Sequence, residues 1–541
     1  MKLFESAWTQ DFTYFERYYD TDLKRSFSSE ISGKTEYFVP KSTGLYTSIL
    51  DESIHLDKML GRSKDAKDQY GVCGPVYRHI RDNYWKNKQY NKNPRVFYLD
   101  IETRSGVYSV GFPVPDKALE EISLIQVFDN ITKTVYVFGL RPWTLYSDYH
   151  LDYPVKYFNF KTEQEMLIGF FNFFQKFDPL IIYAWNGMGF DFPYIYNRLR
   201  NIGLNTNLMS NYGETALETQ YLNGKPIFKL HSKGHFWIDL MDVYKKFTFA
   251  PRSSYSLDNI AKIEVHDNKV EHTEFTSFDS FYTGEGYNIS DEPYTDRVRE
   301  EIRQLQIRKS KGEDVQSELI EKVNFQFVYY GIQDVLLLKK IDDKLNFTKL
   351  QLQIAEMMGV LVGDALGTVC PWSQYISNVA MLEDKVMPPR AEHPNPHVVG
   401  GFVRDPVKGK HHWVLNGDVN SMYPKLSMAA FNMSPETFVP ISRLPSDLRE
   451  KILMYFNNQV EEERLKMPRD IWDSVTALLQ KYNYSLGING AVYTRDHQGI
   501  IPRLVTQIYD GRKQHKKTML KYENQKTIIK DILHHRKSKD Q

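Results

Sequence analysis

Cysteine is nearly absent. Cys73 and Cys370 are the two in 541 residues. They lie far apart and match no metal spacing, which argues against a disulfide framework and for a reducing compartment. Long apolar runs are missing too. The greasiest stretch, Met166 to Trp185, is interrupted by Lys176 and Asp178, so no membrane span is expected. Met1-Lys2-Leu3-Phe4-Glu5-Ser6 holds no apolar signal core. The expected location is therefore the cytoplasm. There is no internal repeat and no low-complexity tract. Nor is there a large excess of one charge: 69 Lys and Arg face 68 Asp and Glu, a formal net charge of +1. That balance is uneven along the chain. Residues 511–541 hold 10 basic and 3 acidic residues, which leaves 59 basic and 65 acidic in the rest. Such a basic tail is either a phosphate contact or a solvated helix.

What is present is ordinary in bulk and informative in pattern. The length predicts about three to four domains. Apolar content of 41% and charge of 25% fit a chain with packed cores. Tyr and Phe number 36 and 32, and aromatic faces suit base stacking as well as cores. Residues 1–94 read as β-leaning with many turns. Strands are expected at 96–102, 123–128 and 134–138. A helix is expected from Thr162 to Phe177, where Met166, Leu167, Phe170, Phe173, Phe174 and Phe177 share one side and Pro179 ends the run. Leu180 to Trp185 reads as a buried strand. This succession is an α/β pattern. Residues 264–296 are polar and turn-rich, an expected insertion or mobile loop. Arg297 to Asp342 and 346–388 read as helical. His412-Trp413-Val414-Leu415 is a buried-strand candidate, 440–482 a charged, peripheral helical insertion, and Pro502 to Leu533 a long basic helix.

The chemistry begins at Arg95-Val96-Phe97-Tyr98-Leu99-Asp100-Ile101-Glu102-Thr103. Side chains alternate along a strand, so Asp100 and Glu102 share a face. Two acids on one face repel unless a cation lies between them, and a divalent metal is the usual answer. A solvated strand end would carry the same pair. Further acids follow at strand and helix ends. In Asn186-Gly187-Met188-Gly189-Phe190-Asp191-Phe192-Pro193, the glycines allow a tight turn and Asp191 sits where a helix begins, either as a site residue or as its N-cap. In Tyr330-Gly331-Ile332-Gln333-Asp334-Val335, Tyr330 and Asp334 are four apart and share a helix face. A buried acid beside Val335-Leu336-Leu337-Leu338 is costly unless it is paired or bound to metal.

The succession D-x-E on a strand, N-x4-D after a later strand and Y-x3-D on a helix resembles the three motifs of the proofreading 3′–5′ exonucleases. The resemblance implies a ribonuclease-H-like fold for about 96–345 and two-metal hydrolysis. Asp100, Glu102 and Asp334 would bind two Mg²⁺ ions (with Mn²⁺ as an alternative), Asp191 would help through a water, and Tyr330 would position the attacking water.

A second constellation is Gly417-Asp418-Val419-Asn420-Ser421-Met422-Tyr423-Pro424, an acid at an expected strand end followed by a turn and a Pro-started helix. It resembles motif A of the family B DNA polymerases, and Gly400-Gly401 upstream resembles the family's linker that touches template DNA backbone. The resemblance implies that Asp418 is a catalytic metal ligand and the Val419 carbonyl a second one, that the backbone around Ser421 and Met422 cradles a deoxynucleoside triphosphate, and that Tyr423 excludes a ribose 2′-OH. Val419 and Met422 depart conservatively from the commonest form. Arg512 and Lys516, four apart on one helix face, resemble the triphosphate-gripping pair of the first fingers helix. Tyr14 to Asp20, Asp242 to Phe247 and Ser254 to Asp258 resemble the T-even-type bacteriophage branch of the family, so the expected compartment is the host cytoplasm.

The resemblance implies a multidomain α+β chain: an N-terminal domain at 1–95, the exonuclease at 96–345, a helical return at 346–389, a partial palm at 390–488 and the first part of the fingers at 489–541. Two family motifs do not occur here, the second fingers helix (K-x3-N-S-x-Y-G) and the D-T-D hairpin with the remaining catalytic aspartate. The expectation is a split enzyme, in which a second chain brings the rest of palm, fingers and thumb, and through it a sliding clamp. Its other partners would be primer-template and single-stranded DNA and deoxynucleoside triphosphates. A free-standing exonuclease with a polymerase remnant, and a non-catalytic DNA-binding scaffold, are the alternatives.

Overall fold

The computed structural model describes residues 1–10, 13–31, 36–40, 46–48, 53–58, 75–108, 111–222, 225–387, 403–419, 421–455, 468–487 and 489–537. Gly400, Gly401 and Asn420 lie outside the described residues. The chain divides into two units, 1–35 with 75–372, and 36–74 with 373–541.

The first unit is built on a six-stranded sheet. Its order is Val155–Asn159, Thr134–Gly139, Ile122–Asp129, Val96–Thr103, Ile181–Ala184, Phe236–Asp239. Val96–Thr103 runs antiparallel to Ile122–Asp129 and parallel to Ile181–Ala184. An antiparallel meander continued by parallel strands, with helices on both faces, is the ribonuclease-H-like arrangement. The period of two along Val96–Thr103 sorts its residues. Phe97, Leu99 and Ile101 belong to the apolar cluster that holds Phe170, Phe173 and Phe174 of the helix Glu163–Phe177. Tyr98 turns to the opposite face, where its hydroxyl donates to Asp342 on the helix Gln316–Leu345. Asp100 and Glu102 share that face, so the strand delivers its acids to the helix that carries Tyr330 and Asp334.

Local chemistry sets the helix ends. Thr162 caps Glu163–Phe177 by accepting from the Glu165 amide at 3.2 Å. The helix stops one residue ahead of Asp178, which adopts a left-handed conformation immediately before Pro179. The expected helix over 297–342 is two helices, Arg297–Ser310 and Gln316–Leu345. Between them Gly312 takes φ +89°, a turn that glycine adopts without strain.

The stretch 264–296 is not a mere loop insertion. It contains the helix Phe278–Thr283, closed by a capping box between Ser277 and Ser280. His272, Phe278 and Phe281 pack their rings against Phe327 or Tyr330 of the long helix. A few aromatic residues scattered among polar ones anchor the whole segment. The N-terminal strands Lys2–Gln10, Thr13–Asp20 and Arg25–Ile31 form an antiparallel sheet. Buried Arg17 joins it to the strand ends below the site, pairing with Glu5 at 2.8 Å and donating to the carbonyls of Asp178, Pro179 and Gly234.

The second unit holds a four-stranded sheet (Lys385–Val386, Tyr46–Ser48, Ser53–Lys58, Glu36–Pro40) and a three-stranded one (Phe438–Val439, Val492–Thr494, Tyr484–Leu486). The helices Ser446–Tyr455 and Arg469–Lys481 lie in the stretch expected as a peripheral insertion. They make a small core of their own through Leu448, Ile452 and Val475 with Leu486 and Val492. The expected buried strand at His412 to Leu415 is absent. Residues 403–419 form no strand, and Trp413 and Leu415 are fully exposed. A buried strand needs neighbours on both edges, and the described strands of this unit pair among themselves. The long helix is present as Ile500–Lys537.

Candidate active site

Asp100 and Glu102 come from Val96–Thr103, and Tyr330 and Asp334 from Gln316–Leu345. Carboxylate oxygens of Asp100, Glu102 and Asp334 lie within 4.8 Å of one another, the group of three among the described residues that could hold a metal ion. Glu102 is 7% and Asp334 1% exposed. Asp191, 3% exposed, opens the helix Asp191–Asn201 but does not cap it. Its Oδ1 instead accepts from the Ile101 amide at 3.3 Å, between the two strand acids. Asp191 lines the same pocket of about 430 Å³ without joining the close group of three.

The turn before Asp191 is tight. Asn186 takes φ +59°, and a Cβ on Gly187 would lie 2.7 Å from both Ala184 Cβ and the Phe192 ring. Asp239, at the end of Phe236–Asp239, braces it by accepting from the amides of Asn186 at 3.1 Å and Met188 at 3.2 Å. Burial raises the Asp239 pKa to about 6.

Burial and mutual repulsion make this a site that favours a cation. Burial, then the charge of Asp334, pushes Asp100 up to about 7. Burial and the charges of Asp100 and Asp334 hold Glu102 well above the carboxylate range. Asp191 is raised by burial and by Asp100. Asp334 is also raised by burial, with Lys269 working against the shift. Lys269 pairs with Asp334 Oδ2 and donates to the Tyr330 hydroxyl at 2.8 Å. Its own pKa is raised by the surrounding acids against the effect of burial.

The residues of the second constellation are differently placed. Asp418, Val419 and Tyr423 are exposed. Ser421 takes φ +54° and leads into the helical turn Met422–Ala429, where Lys425 lies over the Tyr509 ring at 4.0 Å. Arg512 and Lys516 follow on the same helix as Tyr509, both exposed. Asp418 joins no group of acids among the described residues.

The sequence pattern of the DNA polymerase family B exonuclease domain matches residues 75–260, and that of DNA polymerase family B matches 375–538. The chain carries family B DNA polymerase domains. A DNA-directed DNA polymerase of Escherichia phage RB69 is 27% identical over 96% of this chain and 54% of its own length. That of Enterobacteria phage T4 is 25% identical over 84% and 46%. A DNA polymerase of Thermococcus hydrothermalis is 22% identical over 51% and 14%. The chain spans about half the length of these two phage relatives.

The exonuclease domain's donors fit a hard divalent cation. All are carboxylates, they converge, and Asp334 Oδ1 is buried without a hydrogen-bond partner among the described residues. Sequence reasoning missed three residues of this site. Lys269 is one cation in a polar stretch and carries no motif. Asp239 reads as an ordinary helix cap, a role it also fills for Leu240–Phe247. Gln126 is a single amide in an apolar strand, and only the pairing register reveals that it faces Asp100.

Proposed function

We propose that this chain removes nucleotides from DNA 3′ ends by metal-dependent hydrolysis, as the proofreading part of a viral replicative DNA polymerase. The observation that carries this reading is the convergence of Asp100, Glu102 and Asp334, the last two buried and all with raised pKa values, inside an exonuclease domain of that family. Asp100, Glu102 and Asp334 would hold two divalent ions, Mg²⁺ or Mn²⁺, with Asp191 adding charge beside them. Ions bound there supply a water of lowered pKa and neutralise charge on the leaving 3′ oxygen. Tyr330, whose hydroxyl accepts from Lys269, orients the attacking water by donating its own proton. Lys269 compensates Asp334 and keeps the acids together. The rim aromatics Phe112 and Phe190, 5.2 Å apart, offer faces to an unpaired base.

Synthesis is the second part of the proposal. Asp418 and the Val419 carbonyl would be metal ligands there, Ser421, Met422, Tyr423, Arg512 and Lys516 would hold the triphosphate, and Gly400 and Gly401 would touch template. These 541 residues contain one palm carboxylate where two-metal nucleotidyl transfer needs more. Further polypeptide would supply the remaining palm, fingers and thumb, and with them any clamp contact, whether in the same chain or in a second one. The free-standing exonuclease is favoured by two observations, the exposure of Asp418 and the absence of a strand among the described residues 403–419. The domain limits 1–95, 96–345, 346–389, 390–488 and 489–541 belong to the same proposal.

The test uses a 5′-labelled single-stranded oligonucleotide with Mn²⁺. Stepwise shortening from the 3′ end, blocked by a terminal phosphorothioate, supports the reading. Internal cuts or an intact oligonucleotide would refute it.

A further inference from the structure

Gln126 stands directly opposite Asp100 in the antiparallel pair of strands. It is fully buried, and its Nε2 donates to Asp100 Oδ2 at 2.8 Å. An ionised carboxylate only accepts, so the amide must present its nitrogen there. Its other end, Oε1, is buried with no hydrogen-bond partner among the described residues. A buried amide half satisfied in this way is costly in a core. The bond from Nε2 to Asp100 is what the buried amide contributes at this position.

The facing helix is notched to admit this side chain. Gly331 lies next to Tyr330 in Gln316–Leu345, in a helix interior where glycine is unfavourable by roughly 1 kcal/mol relative to alanine. Its φ is not positive, so backbone conformation does not demand glycine. Space does. A Cβ at Gly331 would lie 2.8 Å from Gln126 Cδ and closer still to Nε2. The amide is held to Asp100 and walled in, so a methyl group at 331 would push it off the carboxylate.

We propose that Gln126 is a positioning residue of the metal site, and that Gly331 is glycine to leave room for it. By holding Asp100 Oδ2, the amide sets the rotation of that carboxylate and turns the other oxygen toward the ions. The proposal rests on the metal-dependent reading above and adds to it a second layer that orients the ligands.

The experiment follows Mn²⁺ binding to the full chain by electron paramagnetic resonance, beside steady-state digestion of a single-stranded oligonucleotide. Gln126→Met keeps length and packing but cannot donate to Asp100. Gly331→Ala keeps the glutamine in the sequence and improves helix propensity, while its methyl group displaces the amide from Asp100. Each variant is expected to raise the half-saturating Mn²⁺ concentration about tenfold, the scale of outer-layer ligand effects. At saturating metal, kcat falls while KM for the oligonucleotide stays near wild type. Two folded variants whose Mn²⁺ curves superimpose on wild type would overturn the inference and leave the exonuclease reading intact. A wild-type chain that neither binds Mn²⁺ nor digests the oligonucleotide would overturn both.

Discussion

Lys269 and Asp334 form an ion pair inside the acidic cluster, and the same ammonium donates to Tyr330. A cation from the 264–296 stretch thus sits where three carboxylates would otherwise face one another. The ammonium opposes the upward shift that burial imposes on Asp334. Removing one member of a buried pair leaves the other uncompensated, with a typical cost of 3–5 kcal/mol.

Lys269→Met should therefore destabilise the metal-free chain by about 2 kcal/mol at pH 8, less than a fully buried pair because the lysine is partly exposed and the acids can take up protons. Saturating Mn²⁺ should recover most of the loss. Denaturant midpoints in EDTA and in Mn²⁺ check this, and equal losses in both would contradict it.

The acids themselves should act in the opposite sense. Glu102 is buried among like charges, and its raised pKa records that strain. Glu102→Gln should stabilise the metal-free chain by roughly 1 kcal/mol, the usual exchange of stability for function at such a site. It should also abolish the stabilisation by Mn²⁺. Thermal unfolding with and without metal reads both effects.

The pH dependence follows from Asp100. Its folded-state pKa is about 7, against an ordinary value of 3.8. Between those values the folded chain binds more protons than the unfolded one, so this group's contribution to stability falls as pH rises from about 4 to 7. Metal binding releases those protons and removes the penalty. The rise in unfolding temperature produced by Mn²⁺ should then grow from pH 5.5 to pH 8. A rise independent of pH would contradict the assignment.

Synthesis should be separable from digestion. These 541 residues alone should not extend a primer. Adding polypeptide that carries the second fingers helix, the D-T-D hairpin and the thumb should restore extension, and Asp418→Asn should abolish it while single-strand digestion continues. Primer extension and digestion in one gel check this. Loss of digestion in Asp418→Asn would argue that the two sites are not independent.

Much of the acidic cluster was legible because its residues obey short periods. Asp100 and Glu102 share a face through the strand period of two, and Tyr330 and Asp334 through the helical i,i+4 spacing. Asp191 could be placed at a helix start, although its side chain turns to Ile101 rather than capping the helix. The contributions of Lys269, Gln126 and Asp239 depend on what lies opposite them in space, which spacing along the chain does not encode. The polar stretch 264–296 hid its anchoring rings, His272, Phe278 and Phe281, in its average composition. His412 to Leu415 failed in the other direction. Its apolar run is what a buried strand requires, but a strand also needs partners for its backbone, and residues 403–419 have none among the described strands.

The most direct test is the rate at which a single-stranded oligonucleotide is shortened from its 3′ end, in Mg²⁺ or in EDTA, by the wild-type chain and by Asp100→Ala with Glu102→Ala. The account predicts shortening that requires metal and falls by at least about a thousandfold in the double variant, since both strand ligands are lost. Shortening that persists in EDTA, or survives undiminished in the double variant, would contradict it.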